Sequence, residues 1–288
     1  MVRLEFSTEL GYDVAGPGCD FIFNIEAACT SRQRVVSESL AISQAVPVSA
    51  YVDPATQSRY LRLRAHAGPL MVRYSADVEL THYEAQPGQL AEVAPGELPG
   101  LVLPYLYPSR YCQSDRMLNI ASQEFGRLPM GYSRAQAVCD WVGQHVTFQS
   151  NTSNSTTSAL DTLIDRVGVC RDFAHLMIAL CRACNLPARM ASGMDYGADP
   201  ALGPPDFHAY VEVFLGDRWY IFDPSGTAVP MGFVRLATGR DAADIAFATI
   251  FGAVFSAQPV VEIRAVANSQ GVRVVPQRVS YAISTDGP

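Results

Sequence analysis

The sequence has no apolar run long enough to cross a bilayer, no basic tract and no pattern of paired cysteines. The most apolar stretch near its end, Ile245 to Val254, falls short of the roughly 20 residues a spanning helix requires. No membrane partner is therefore expected. Charged residues make up only 17% of the 288, with a net charge of −7. Without clustered cations to track phosphates, no nucleic-acid partner is expected either. The opening Met1-Val2-Arg3-Leu4-Glu5-Phe6 has no apolar core and carries an acid, so it does not read as a signal peptide. A cytoplasmic location is the resulting expectation.

The seven cysteines (19, 29, 112, 139, 170, 181 and 184) are odd in number and scattered, which argues against a disulfide scaffold and for a reducing compartment. Cys181-Arg182-Ala183-Cys184 has the spacing of a redox or zinc pair, but no second pair and no suitable histidine accompany it. Cys181 also recurs four residues after Met177, a helical core spacing, so packing is the reading adopted and no metal is expected.

Nearly half the residues are apolar, enough for a substantial core. The first hundred or so read as β structure: Asp20 to Ala28, Gln33 to Ile42, Ser58 to His66 and Met71 to Tyr83 are β-rich or alternating runs. Gly16-Pro17-Gly18, Asp53-Pro54 and Gly68-Pro69 punctuate them, and the spacing predicts an antiparallel sandwich. A Pro/Gly-rich passage from Pro95 to Pro108 then places a boundary near residue 110, dividing the chain into an N-terminal β-rich domain (1–110) and a mixed core with C-terminal strands (111–288). No internal repeat is evident.

Helical signals follow. Ser114 to Gly126 is one candidate, and Ser133 is placed to cap a second, with Val138, Trp141, Val142 and His145 along one stripe. That stripe makes His145 a packed or hydrogen-bonded core residue. Residues 149–158 form a polar, low-complexity stretch, read as a solvated connector, with a flap beside a site as the sharper alternative. Ser158 with Asp161 resembles a capping box for a helix over 159–166. Gly168 breaks that helix, and another runs from Cys170 to Asn185, with Pro187 beyond.

Cys170 therefore opens a helix, where the dipole and unpaired N–H groups favour thiolate over thiol. Further on, Phe207 to Leu215 alternates as a strand, Gly216-Asp217 makes a type II′ hairpin loop, and Arg218 to Asp223 returns until Pro224 stops it. In that register Leu215 opposes Arg218, Glu212 opposes Ile221 and Tyr210 opposes Asp223. His208 and Asp223 then share a face as diagonal neighbours, about 7–8 Å apart at the backbone. Glu212 is on the same face but roughly 13 Å along the strand from His208, and Asp206, at the strand entrance, ranks second to Asp223 as a partner for the imidazole.

The expected triad is Cys170 as nucleophile, His208 as its base and the later proton donor to the leaving amine, and Asp223 as the group that orients and stabilises the imidazolium. The Cys170 amide is a natural oxyanion donor. Trp141, Gln144 and Gln149 are candidates for the second. His175 lies about 140° around the helix from Cys170 and reads as a packing group or a support to the site. Any one of these signals alone is usually structural; their conjunction points to a thiol enzyme.

These residues resemble the transglutaminase-like superfamily of papain-fold thiol enzymes, in particular its bacterial branch. The similarity runs through Gly168-Val169-Cys170-Arg171-Asp172-Phe173-Ala174-His175-Leu176, Leu186-Pro187-Ala188-Arg189, His208-Ala209-Tyr210-Val211-Glu212-Val213 and Trp219-Tyr220-Ile221-Phe222-Asp223-Pro224, and Gly239 to Asp244 also fits. It implies an α+β fold: an N-terminal antiparallel β-sandwich followed by a papain-like core of helices packed on an antiparallel sheet. It implies the same triad roles for Cys170, His208 and Asp223, and no cofactor or metal; nothing in the chain resembles a calcium loop. The expected activity is that of a cysteine protease or peptidase, or an acyl transferase, working on protein or peptide through a thioester. The alternatives are a non-catalytic binding module on the same fold and an arylamine acetyltransferase, though Arg171-Asp172 and the later blocks fit the transglutaminase pattern better. Tyr210 stands where many relatives carry Trp, which suggests an altered rim of the site.

Overall fold

The computed structural model describes residues 1–198, 201 and 205–287. The N-terminal region is β throughout: β1 (Val2–Val14), β2 (Cys19–Phe23), β3 (Gln33–Ile42), β4 (Val48–Val52), β5 (Arg59–Ala65), β6 (Gly68–Leu80) and a short β7 (Tyr83–Ala85). Residue alternation explains its two-layer form. Val2, Leu4, Phe6, Leu10, Tyr12 and Val14 of β1 point inward, as do Leu70, Val72, Tyr74, Ala76 and Val78 of β6. They meet Phe21 and Phe23 of β2 and Leu61 and Leu63 of β5 in one core. Each such large side chain withdrawn from water contributes about 1.5–3 kcal/mol.

The second region carries α1 (Leu118–Phe125), α2 (Tyr132–His145), a two-residue β8 (Thr147–Phe148), α3 (Ala159–Asp165), a two-residue β9 (Val167–Gly168), α4 (Cys170–Ala183), β10 (Ala188–Met194), β11 (Phe207–Leu215), β12 (Arg218–Phe222), β13 (Val234–Gly239) and a single turn α5 (Ala242–Ile245). Strands β12-β11-β10-β13 form an antiparallel sheet. Helix α4 lies on it, buried from Asp172 to Arg182, as a helix apolar on nearly every side must be. The fold class is thus α+β. No helix among the described residues is long and apolar enough to cross a membrane.

The chain then returns to its beginning through β14 (Ala248–Phe251), β15 (Val254–Ser256), β16 (Val260–Ala265) and β17 (Ala282–Ser284). Strand β14 joins the β2-β5-β4 sheet, β15 and β16 both pair with β1, and β17 pairs with β7. Sheet pairing therefore runs across the sequence division expected at residue 110. Met194, Val234 and Leu236 of the second region also enter the sandwich core.

Local differences from expectation have identifiable causes. Strand β2 stops at Phe23 because the chain turns away to bond elsewhere: Asn24 N–H donates to Phe247 O and Ala28 N–H to Arg235 O. Gly131, not Ser133, precedes α2; its φ of 123° suits glycine, and its N–H donates to Glu92. Ser133 lies inside the first turn and donates to Pro129 O. His145 is exposed rather than in the core, stacked on Trp141 and bonded to the Trp141 carbonyl. The Ser158–Asp161 box is present, with Asp161 accepting from the Ser158 N–H at 2.9 Å. Cys181 and Cys184 are both buried, and burial is the first cause raising each thiol's pKa.

Candidate active site

Two constraints set the start of α4. Asp172, fully buried, reaches back to accept from the Val169 N–H at 2.8 Å. Gly168 lies against it: a Cβ there would stand 2.6 Å from Asp172 Cβ, so no other residue fits without displacing the cap. This fixes Cys170 at the first helical position, partly exposed at the edge of a cleft of about 690 Å3. The first N–H groups of a helix have no partner within it, and the Cys170 amide is one of these.

The hairpin supplies the other two groups. Strands β11 and β12 pair in the register expected, Leu215 with Arg218, Phe214 with Trp219 and Glu212 with Ile221. Gly216 takes the positive φ, 61°, that its turn requires. One step beyond Phe222 stands Asp223. Its Oδ1 lies 3.3 Å from His208 Nε2 and also accepts from Ser225 Oγ at 2.7 Å and the Ser225 N–H at 3.2 Å. Phe233 packs on the imidazole with ring centres 4.9 Å apart. Opposite His208, Gly193 leaves room for Val234 O, which would be 2.5 Å from a Cβ.

Cys170 lines the same cleft as His208 and is near enough to act on the imidazole. With Nε2 turned to Asp223, Nδ1 is the ring nitrogen left for sulfur. Burial alone would lower the imidazole's pKa; the charge of Asp223, its hydrogen bond and the contacts with Cys170 outweigh it and hold His208 well above its ordinary 6.5. Burial likewise pushes Asp223 up, but the charge and hydrogen bond of His208, then Ser225 and the Ala228 amide, keep it below its ordinary 3.8. Both directions follow from a buried ion pair in which each partner stabilises the charged form of the other.

The remaining candidates separate from this group. Glu212 is bound to Arg189 and Arg235 in a buried ion network that also holds Asp286. Asp206 bonds Asp195 rather than His208. His175 is wholly buried, stacked on Tyr111 at 5.0 Å, and its Nε2 accepts from the Ala242 N–H at 3.2 Å. Burial drives His175 down to about 3, so it is neutral. Trp141, Gln144 and Gln149 do not line the cleft. Tyr210 is not on the rim either: it is fully buried and stacked on Phe233 at 4.7 Å, on the side of β11 opposite Ala209, Val211 and Val213, which join the α4 core.

Several cleft residues had no individual sequence signal. Ser150 and Ser155 of the polar 149–158 stretch line it. The stretch is tied there by Tyr111 Oη to Ser155 O at 2.7 Å and by Arg171 to Asn154 O at 2.9 Å, so it walls the site rather than merely connecting helices. Phe207 and Phe247 stack at 4.4 Å to form an apolar side. Ser225 was recognisable, since Asp-Pro-Ser is a turn sequence whose hydroxyl can fold back on the aspartate.

Comparison with known proteins follows the same lines. A solved structure described as a "Putative Cysteine Protease" from Cytophaga hutchinsonii superimposes with a TM-score of 0.91 and 36% identity, covering 98% of this chain and 97% of that one. Residues 120–224 match the transglutaminase-like superfamily model, and that span contains Cys170, His208 and Asp223. The chain belongs to the transglutaminase-like superfamily. Residues 2–99 match the model of the bacterial transglutaminase N-terminal domain. Among curated relatives, an uncharacterized protein of Mycobacterium leprae is 29% identical over 115 residues, 38% of this chain and 41% of its own length. One from Mycobacterium tuberculosis is 32% identical over 110 residues, 34% of this chain and 35% of its own. The match thus spans less than half the length of these curated relatives.

Proposed function

We propose that the protein is a cysteine-dependent amide hydrolase acting on protein or peptide through a thioester on Cys170. The observation that carries this reading is that one buried imidazole, His208, lies 3.3 Å from the Asp223 carboxylate and lines the same open cleft as the Cys170 thiol, whose charge bears on it.

In this mechanism Cys170 Sγ attacks the substrate carbonyl carbon, and its proton resides on His208 Nδ1. The carbonyl oxygen becomes an oxyanion facing the Cys170 N–H. Collapse of that adduct breaks the C–N bond, and His208 gives its proton to the departing amine. Water, deprotonated by the now neutral His208, attacks the thioester; the carboxylic acid leaves and the thiol recovers its proton from the imidazolium. Asp223 never changes protonation; it stabilises the imidazolium formed at each half-reaction. Water is the default acceptor at an open cleft, which favours hydrolysis over transfer to an amine.

The test is a peptide library incubated with enzyme, with and without added primary amines, read by mass spectrometry. The chain's 21 Lys and Arg residues are all arginine, so its own side chains offer no amine acceptor; its glutamines can still act as acyl donors, so peptide mapping locates any new side-chain amide. Cleaved peptides in wild type and none in Cys170→Ala support hydrolysis. Amine incorporation without cleavage replaces it with transfer, and inertness in every arm removes the enzymatic reading.

A further inference from the structure

One face of β11 passes from one hydrophobic core to the other. Residues 207, 209 and 211 share that face by strand alternation. Ala209 and Val211 pack with Met190 in the core built around α4. Phe207, paired with Met194, packs instead against the sandwich core, to which Met194 belongs. The change falls within two residues, about 7 Å. The segment leaving α5 makes the same crossing. Ile245 is buried in the α4 core, whereas Phe247 packs against the sandwich core and its carbonyl accepts from the Asn24 N–H at 2.9 Å. The cleft that holds Cys170 opens at this seam, lined by Met190, Ala209 and Ile245 from one core and by Phe207, Phe247 and Ala248 from the side of the other. Ala248 begins the strand that pairs with β2, so this second wall is carried by the sandwich. The Phe207 and Phe247 rings stack at 4.4 Å, 3° from parallel, and are only half-buried.

We infer that the stacked pair Phe207–Phe247, with Ile245 and Ala248 beside it, is a specificity subsite for a large apolar side chain of the peptide substrate, aromatic above all. This rests on the hydrolytic reading above and names the substrate class. What covers the half-exposed rings follows from the position of the thiol. A carbonyl presented to Cys170 belongs to a chain that lies along the seam, and Phe207 is next in sequence to His208. The side chain concerned is therefore within about two residues of the scissile bond. Apolar surface withdrawn from water on both partners, together with ring-on-ring contact, supplies the selectivity. Asp195 and Asp206 line the same cleft, so an acidic side chain meets like charge there. The sandwich thus takes part in substrate choice as well as in supporting the core.

Two measurements separate this subsite from the hydrolytic reading. The first is kcat/KM for peptides varied one position at a time, on both sides of the cleaved bond, among phenylalanine, leucine, alanine and aspartate, in wild type, Phe247→Ala and Phe247→Leu. The second needs no turnover. Alkylation of Cys170 by an iodoacetamide bearing a phenethyl group is compared with its ethyl analogue, and exposed Cys29 in the same molecule serves as reference. The expected result is a preference of at least about tenfold for phenylalanine over alanine at one position, and for phenethyl over ethyl at Cys170 but not at Cys29. Aspartate is the poorest residue at that position. Phe247→Ala abolishes both preferences. Phe247→Leu keeps the apolar preference and loses a roughly threefold advantage of phenylalanine over leucine, so it decides the matter if the alanine variant does not fold. Preference in alkylation without any peptide turnover leaves the subsite standing and removes hydrolysis. Turnover with no apolar preference at any position, or a preference unchanged in both variants, overturns the subsite and leaves hydrolysis standing. No turnover and no preference in alkylation overturns both.

Discussion

His208 Nε2 lies 3.3 Å from Asp223 Oδ1, and each side chain is 2% exposed. An ion pair so enclosed depends on both partners, because removing one leaves a buried charge without compensation. Asp223→Asn keeps the shape but cannot stabilise the imidazolium. The expected loss in kcat/KM for a cleaved peptide is about 10²–10⁴-fold, with KM changed far less. Loss of binding alone would contradict the role assigned to Asp223.

The same pair sets a pH window. His208 is raised above 6.5, so its contribution to stability is complete below 6.5 and is lost as pH rises through the folded value. Asp223 is depressed below 3.8, so its contribution is complete above 3.8 and is lost as pH falls through the folded value. The stability difference between wild type and Asp223→Asn should therefore be largest from 3.8 to 6.5. Denaturant midpoints across pH check this. Nitrogen-15 spectra of the imidazole should show His208 still protonated at neutral pH in wild type and neutral in the variant.

His175 predicts the opposite slope. Its folded-state value near 3 lies under its ordinary 6.5, because burial excludes the charge. Between those values the unfolded chain holds a proton that the folded chain refuses, so stability falls as pH drops through that range. His175→Gln should flatten the dependence by up to one proton. An unchanged slope would mean that His175 is not the group responsible.

The start of α4 gives a stability prediction. Gly168→Ala forces a methyl group against the Asp172 side chain that caps Val169. The expected cost is about 1–3 kcal/mol in urea unfolding, with a further loss of activity as Cys170 shifts. Asp172→Ala removes the cap without the clash and should cost about 1–2 kcal/mol.

Much of this site was legible because it is local. The register of residues 207–223 follows from one two-residue turn and strand alternation, and the observed pairs match it. The helix beginning at Cys170 follows from Gly168 and the apolar run beyond. The fold class was legible too, from the β-rich first hundred residues and the helical signals after them. Long-range geometry was not. Nothing in the periodicity of 248–265 indicates that these strands pair with β2 and β1, some 240 residues earlier by sequence and adjacent only in space. Phe247 meets Phe207 for the same reason. Tyr210 was placed wrongly on the rim because face assignment along β11 gives the side of the sheet but not what covers it; here Phe233 does.

The most direct test of the thiol–imidazole–carboxylate unit is a rapid acid quench of enzyme mixed with a cleavable peptide ester, followed by intact mass and peptide mapping. An acyl group on Cys170 in wild type, formed at least about 100-fold more slowly in His208→Ala, is the predicted result. Acylation spread over other cysteines, or proceeding equally fast without His208, would contradict the account.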